Sequence, residues 1–298
     1  MRVAAVDIGT NTVRLLVADV DGDRISDIDR AVEVVGLGRG LDRTGELAED
    51  AMDAAVTTLA DYGRRLQGAD QVRVVATSAS RDASNANHFL ERVTDAVGIT
   101  PEVISGSDEA ALAFSGAVWG AGSVGRRLVI DPGGGSTEFV IGGDQPDSAV
   151  SIDIGSVRLT DRLLETRPPS PVELEGAVAH VAEMFDKVSF EHPPDTVIGV
   201  AGTFTSLAAI HLELETYDRT RTHQTILTIG DLDDLTLRLA GLTVEETAAL
   251  PSLDPKRARV ILAGAVIAAE AVRSSGLEAV LVSETDLLEG IVLQLSRR

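Results

Sequence analysis

Several residue types that would indicate particular kinds of protein are scarce or missing in this sequence of 298 residues. Cysteine is absent, which excludes disulfide bonds, thiolate metal sites and a cysteine nucleophile. Aromatic residues make up only 3% of the chain, and 26 basic residues face 47 acidic ones, for a net charge of −21. Because nucleic acids and anionic membranes are bound mainly through lysine and arginine, we expect neither as a partner.

Long hydrophobic segments are missing as well. The most apolar stretch, 260–272, is interrupted by Gly264 and Glu270 and is shorter than the roughly 20 residues needed to span a bilayer. It is therefore predicted to be a buried helix. The N-terminal apolar run is broken by Asp7, which argues against a signal peptide, so we expect a cytoplasmic protein. The five histidines fall in no zinc-ligand spacing.

The pattern that is present alternates strand-like and helix-like segments. Short β-branched runs indicate strands at the start of each half of the chain, at 2–6, 13–20, 24–35, 128–131, 137–141 and 149–154. Apolar residues at three- and four-residue spacing then predict helices, among them 47–66, 83–97, 109–118 and 172–188, and a helix from Pro255. Grouped strands followed by alternation favour an α/β protein in two halves.

The domain boundaries are suggested by composition. Glycine and serine dominate 120–127, which we interpret as a hinge. We therefore expect domains at 1–123 and 124–285, with a terminal helix at 286–298 that returns to the first domain.

An internal near-repeat is the most informative feature. VAAVDIGTNTVRLLV (Val3–Val17) aligns with LVIDPGGGSTEFVI (Leu128–Ile141), with Asp7 matching Asp131 and Gly9 matching Gly133. Each copy reads as a hydrophobic strand that ends in aspartate, a turn of small residues and a second strand. One copy in each half predicts two similar domains.

These turns have the composition of phosphate-binding loops. Glycine and small hydroxyl residues expose consecutive backbone N–H groups to an anion. The candidates are Thr10 and Asn11 in the first copy and Gly133, Gly134, Gly135 and Ser136 in the second, with the Ser136 hydroxyl as a further donor. Asp7 and Asp131 end their strands where a carboxylate can hold Mg²⁺ against phosphate oxygens. Ordinary hairpin turns are the alternative, and the repetition with aspartate in register favours phosphate binding.

Two further segments are candidates for the same chemistry. Gly202 and Thr203 follow a predicted buried strand at 196–200, where a helix N-terminus can receive an anion and Thr203 can cap the helix. Gly155 and Ser156 lie in a third Asp-x-Gly pattern and can also meet phosphate.

Six motifs together identify a family resemblance that covers essentially the whole chain. In order they are DIGTNT, ATSASRDA, ISGSDEAAL, DPGGGSTE, DIGSVRLT and AGTFTSL. Their order and spacing resemble the exopolyphosphatase / guanosine pentaphosphate phosphohydrolase family in its short two-domain form. The resemblance implies two similar α/β domains of the ribonuclease H-like superfamily of actin-like ATPases, sugar kinases and heat-shock chaperones, with a cleft between them.

The resemblance also implies roles for individual residues. It implies that Arg81 contacts the phosphates and that Glu109 is the base for an attacking water. Asp131 with its glycines resembles the phosphate and metal site, and Glu138 is a further acidic position beside it. The implied reaction removes the terminal phosphate of inorganic polyphosphate with Mg²⁺ or Mn²⁺ and no organic cofactor. A homodimer follows from the analogy alone.

The sequence departs from the family pattern at two positions and leaves alternatives open. Pro132 replaces an isoleucine beside the glycines, which removes one backbone donor, and Leu288 replaces an arginine in the closing motif. The nearest alternative activity is hydrolysis of guanosine pentaphosphate. A regulatory nucleotide-binding module with little turnover is an alternative of another class, and a sugar kinase lacks recognisable sugar-binding residues.

Overall fold

Two mixed β-sheets, each belonging to its own part of the chain, organise the protein. The computed structural model describes residues 1–22, 24–122 and 124–297, and the chain divides into two units. Unit 1 contains Met1–Gly116 and Leu287–Arg298, and unit 2 contains Ala117–Asp286. The division falls before the expected hinge at 120–127, of which Ser123 lies outside the described residues, as does Arg298 in the expected terminal helix. The domain limits drawn from the sequence stay predictions.

Unit 1 begins with three antiparallel strands and continues with helices and parallel strands. Its elements are β1 (Arg2–Ile8), β2 (Thr12–Asp21), β3 (Arg24–Val34), α1 (Leu41–Thr44), α2 (Glu49–Arg65), β4 (Gln71–Ala76), α3 (Ser78–Asp82), α4 (Ala86–Val97), β5 (Glu102–Val103) and α5 (Gly106–Ala121), which continues into unit 2. The sheet order is β3-β2-β1-β4-β5, and β1, β4 and β5 run parallel.

Unit 2 repeats this plan with more helices. Its strands and helices are β6 (Arg127–Pro132), β7 (Thr137–Gly142), β8 (Pro146–Ile152), α6 (Ser156–Leu163), α7 (Pro171–Phe185), β9 (Thr196–Gly199), α8 (Ala201–His211), α9 (Arg219–Thr222), β10 (Ile226–Thr228), α10 (Ile229–Ala240), α11 (Val244–Ala248), a 3-10 helix (Pro255–Arg257), α12 (Ile261–Ser274) and β11 (Ala279–Val282). The chain then returns to unit 1 as α13 (Leu287–Ser296). The sheet order is β10-β11-β9-β6-β7-β8.

The two sheets share one topology. The order β8-β7-β6-β9-β11 in unit 2 matches β3-β2-β1-β4-β5 in unit 1, with three antiparallel strands followed by parallel neighbours in each. The two copies of the sequence repeat form β1–β2 and β6–β7, which are equivalent hairpins. The prediction of two similar sheet-and-helix halves is therefore confirmed.

Alternation along β1 explains the core of unit 1. Val6 and Ile8 face the cluster that contains α2 and α4, whereas Val3 and Ala5 face a second cluster that contains α5 and α13. Because side chains of a strand point alternately to opposite faces, one strand supplies both cores. Unit 2 has one large cluster, through which α12 passes with every residue from Ile261 to Val272 buried. The prediction of a buried helix there is confirmed.

The helix limits differ from the sequence predictions in several places. The loop 37–45 contains α1, which is bounded by Gly40 and Gly45 with positive φ, and ATSASRDA forms α3. Such short helices are too brief for a periodic pattern to reveal. The helix predicted from Pro255 starts there only as a 3-10 turn capped by Asp254, and the α-helix α12 begins later, at Ile261. Among the described residues, no helix has both the length and the hydropathy to cross a bilayer.

Two helical glycines give a matched test of packing. A Cβ added at Gly290 in α13 would overlap the carbonyl oxygen of Leu112 in α5, whereas one added at Gly176 in α7 meets nothing within 4 Å. We expect Gly290→Ala to lower the free energy of unfolding by about 1–3 kcal/mol through overpacking. Gly176→Ala should raise it by about 0.5–1 kcal/mol through helix propensity. Urea unfolding of both variants measures the difference, and equal effects would contradict this packing.

Candidate functional site

The turn between β6 and β7, Gly133–Ser136, is held from one side by α6. The start of α6 donates to three successive carbonyls of the turn: the Ser156 N–H to Gly133 at 2.9 Å, the Val157 N–H to Gly134 at 2.9 Å and the Arg158 Nε to Gly135 at 2.9 Å. The Gly133 N–H closes the turn on the Ser136 carbonyl at 2.9 Å. We call Gly133–Ser136 the glycine loop.

This arrangement directs the N–H groups of the glycine loop to the other side. In a trans peptide the carbonyl and the following N–H point in opposite directions. The N–H groups of Gly134, Gly135 and Ser136 therefore point away from α6, and none of the three donates to another group in the part of the chain that the structure describes. Consecutive N–H groups that face one side form an anion-binding nest.

Two of the other sequence candidates of unit 2, Gly155 and Ser156, support the glycine loop. A Cβ at Gly155 would overlap the backbone of Gly134, so glycine is required for this close approach. The Ser156 N–H is used by Gly133, as described above. Gly202 leaves room for the Arg257 guanidinium, which a Cβ there would overlap. Direct contact of these residues with phosphate stays a prediction.

Thr203 has a different role from the predicted helix cap. The helix α8 begins at Ala201, its N-cap is Val200, and no side chain caps it. The Thr203 hydroxyl instead donates to the Pro132 carbonyl at 3.0 Å, which is why the capping prediction is wrong. Thr203 thereby anchors the residue that precedes the glycine loop.

The first copy of the repeat has an equivalent turn. The Gly9 N–H donates to the Thr12 carbonyl at 2.9 Å, which matches the closure of the glycine loop. The Thr10 carbonyl accepts from the Gly38 N–H at 2.7 Å, and the Asn11 carbonyl accepts from the backbone N–H groups of residues 35 and 36, both at 2.9 Å. The carbonyls are again satisfied from one side, and the Asn11 N–H points to the other.

The two hairpins differ in the charge opposite the aspartate. In unit 1 the register pairs Asp7 with Arg14, whose Nε donates to Asp7 Oδ2 at 2.8 Å. In unit 2 the equivalent pair is Asp131 and Glu138, which are 7% and 2% exposed. Two carboxylates directly opposite on one face of a sheet repel each other, and a cation beside them relieves the repulsion. The repeat therefore carries a neutralised aspartate in unit 1 and an acidic pair in unit 2.

The Glu138 carboxylate also orients Ser136. Its Oε1 accepts from the hydroxyls of Ser136 and Ser151, both at 2.7 Å. A serine hydroxyl has one proton and two lone pairs, so Ser136 Oγ, with its proton directed to Glu138, presents lone pairs to any further ligand. The Ser136 hydroxyl is thus better suited to bind a cation through its lone pairs than to donate to phosphate. Donation to phosphate was the role predicted from the sequence.

Arg81 and Glu109 are in direct contact in unit 1. Ser105 caps α5 by accepting from the Asp108 N–H at 3.1 Å, which places Glu109 in the first turn. Arg81, in α3, donates from Nη1 to Glu109 Oε2 at 2.9 Å and to the Ile104 carbonyl at 2.9 Å. Their side chains are 23% and 13% exposed. The two residues are 28 positions apart, so no local pattern could predict the contact.

Comparison with known proteins identifies the class to which this fold and these loops belong. The α/β architecture of the two units is shared with solved phosphatase structures. The model of the Ppx/GppA phosphatase family matches residues 16–298, and the chain belongs to this family. The prediction that it is a phosphoanhydride hydrolase is confirmed at the level of the family.

Similar proteins cover nearly the whole chain. Exopolyphosphatase 2 of Mycobacterium tuberculosis is 40% identical over 99% of this chain and 98% of its own. A crystal structure of an Aquifex aeolicus member of the Ppx/GppA family has a TM-score of 0.85 at 32% identity, covering 100% of this chain and 98% of that one. An exopolyphosphatase from Cytophaga hutchinsonii has a TM-score of 0.89 at 29% identity over 99% and 97%.

The contact of Gly155 with the glycine loop gives a testable expectation. Gly155→Ala would push the loop backbone away from α6 and disturb its N–H groups, so affinity for orthophosphate should fall about tenfold or more, since each lost charge-assisted bond costs about 1.5–3 kcal/mol. Gly143→Ala is the control, because a Cβ there meets nothing within 4 Å. Calorimetric titration with orthophosphate measures both, and equal affinities would argue against the nest.

Proposed function

We propose that this protein is an exopolyphosphatase that releases the terminal phosphate of inorganic polyphosphate by attack of water. The observation that carries the proposal is the set of outward N–H groups at Gly134, Gly135 and Ser136 in the glycine loop. Phosphoryl transfer needs little covalent chemistry from the protein, because positioning and stabilisation of charge account for most of the catalysis. The 40% identical exopolyphosphatase supports the choice of substrate.

The proposal gives Glu109 and Arg81 the catalytic roles. Glu109 orients the attacking water and accepts its proton, because a carboxylate can act as a general base. Arg81 holds Glu109 through Nη1, and a guanidinium has five N–H donors, so others remain for a phosphoryl oxygen. In unit 2, the glycine loop offers its N–H groups to phosphate oxygens.

The residues of unit 2 fit a divalent cation. Mg²⁺ prefers oxygen ligands and is usually held by one or two carboxylates together with substrate phosphates and waters. Asp131 and Glu138 lie opposite each other on one face, and Ser136 Oγ presents its lone pairs nearby. No group of three or more acidic, histidine or cysteine side chains with metal-binding geometry occurs among the described residues, which agrees with a site completed by substrate. Asp7 is held by Arg14 through Oδ2, and its assignment to the metal stays a prediction.

When bound, Mg²⁺ or Mn²⁺ would neutralise charge on the phosphates. Hydrolysis of guanosine pentaphosphate is the second candidate, because the family name covers both activities.

Substrate preference can be measured directly. We expect phosphate release from long-chain polyphosphate with Mg²⁺ to exceed release from guanosine pentaphosphate and from ATP, and to be abolished by excess chelator. The net charge of −21 repels a polyanion, so the rate should also depend strongly on ionic strength. Faster release from guanosine pentaphosphate would establish the second candidate. Tight nucleotide binding without cleavage of any anhydride would instead favour the regulatory module.

The role of Glu109 is testable with a neighbouring control. Glu109→Gln keeps the shape of the side chain and removes the base, so kcat should fall about 10²- to 10⁴-fold with little change in KM. Asp108→Asn removes an exposed carboxylate from the preceding residue of the same helix turn and should stay within about twofold of the native rate. Full activity in Glu109→Gln would refute the assignment.

A further inference from the structure

Arg158 contacts the glycine loop from the side opposite its outward N–H groups. We propose that Arg158 is a positioning residue for the hydrolysis, which fixes the peptide between Gly135 and Ser136 so that the Ser136 N–H faces the substrate. The inference rests on the proposed function, and Arg158 belongs neither to the pair of Arg81 and Glu109 nor to the pair of Asp131 and Glu138.

The geometry makes Arg158 different from the other supports of the loop. The carbonyls of Gly133 and Gly134 accept from backbone N–H groups of α6, and the Ser156 hydroxyl adds a longer contact to Gly133 at 3.3 Å. The Gly135 carbonyl accepts from a side chain, Arg158 Nε, at 2.9 Å. Among the described residues, Gly135 is therefore the loop carbonyl that relies on a side-chain donor without a backbone one. Glycine has little conformational restriction, so without Arg158 the Gly135–Ser136 peptide is free to rotate.

Charge gives the contact a second effect. A hydrogen bond from a guanidinium is charge-assisted and stronger than one between neutral groups. Donation to the Gly135 carbonyl polarises its peptide, which strengthens the N–H at the other end as a donor, because linked hydrogen bonds are cooperative. Arg158 also brings positive charge to the anion-binding loop of a protein whose net charge is −21.

Helix α6 is held in place by other residues. Val157 and Leu159, on either side of Arg158, are 3% and 0% exposed, and Leu159 belongs to the large core cluster of unit 2. The helix therefore stays folded when Arg158 is replaced, and an effect of the replacement reports on the loop. Arg162, one helical turn further along α6 and exposed, is a matched control for loss of an arginine.

The experiment compares Arg158→Gln, Arg158→Lys and Arg162→Gln in the full chain. We expect Arg158→Gln to lower kcat/KM for polyphosphate about tenfold to hundredfold, with most of the loss in kcat, as for loss of one charge-assisted hydrogen bond. Arg158→Lys should recover part of it, and Arg162→Gln should stay within about twofold of the native value. Thermal unfolding midpoints of all three should agree within a few degrees.

A second measurement is independent of turnover. Titration with orthophosphate, followed by the ¹H–¹⁵N resonance of Ser136, should shift that amide downfield in the native protein and much less in Arg158→Gln. If the native protein cleaves neither polyphosphate nor guanosine pentaphosphate, the proposed function fails while this amide shift still tests the positioning role. If Arg158→Gln had the same rate and the same Ser136 amide shift as Arg162→Gln, the inference would be overturned. The inference would also be overturned if the loss of activity in Arg158→Gln accompanied a loss of thermal stability and if Arg158→Lys, although stable, recovered no activity.

Discussion

The requirement that backbone carbonyl groups find donors shapes the glycine loop of this protein. The carbonyls of Gly133, Gly134 and Gly135 are satisfied from α6, so the intervening peptides can point their N–H groups only the other way. The proposed anion-binding surface is thus a consequence of the hydrogen bonds made behind it. The close approach that makes this possible depends on Gly155, where any side chain would overlap the loop.

The same constraint operates in both units because both are built on one plan. Equivalent hairpins begin the two sheets, and each turn closes with the same N–H to carbonyl bond between residues three apart. The two hairpins differ in the charge of the residue that faces the aspartate. Arg14 neutralises Asp7 in unit 1, whereas unit 2 has Glu138 opposite Asp131. One plan of backbone hydrogen bonds therefore supports two turns that differ in the residue paired with the aspartate.

Supporting contacts of this kind also reconcile the strongly acidic composition with phosphate chemistry. The donors that we propose are backbone N–H groups in unit 2 and, in each unit, an arginine held at defined atoms, Arg81 on Glu109 and Arg158 on the glycine loop. Fixed dipoles and localised charges act at short range, whereas the net charge spread over the whole chain opposes the approach of a polyanion from further away and is screened by salt. Selectivity for one anion at one place does not need a generally basic surface.

Local patterns along the chain were sufficient to predict the two-half α/β plan and the family. Those features are encoded locally, in strands that end in aspartate, in small-residue turns and in motifs of fixed order. The folded structure was needed to show that Gly155, Ser156 and Thr203 hold the glycine loop and the residue before it, that the Ser136 proton is directed to Glu138, and that Arg81 contacts Glu109. Each of those roles depends on which partner completes a hydrogen bond. The partners come from separate elements of the fold, such as Thr203 and Pro132, 71 positions apart, and no local pattern records their meeting.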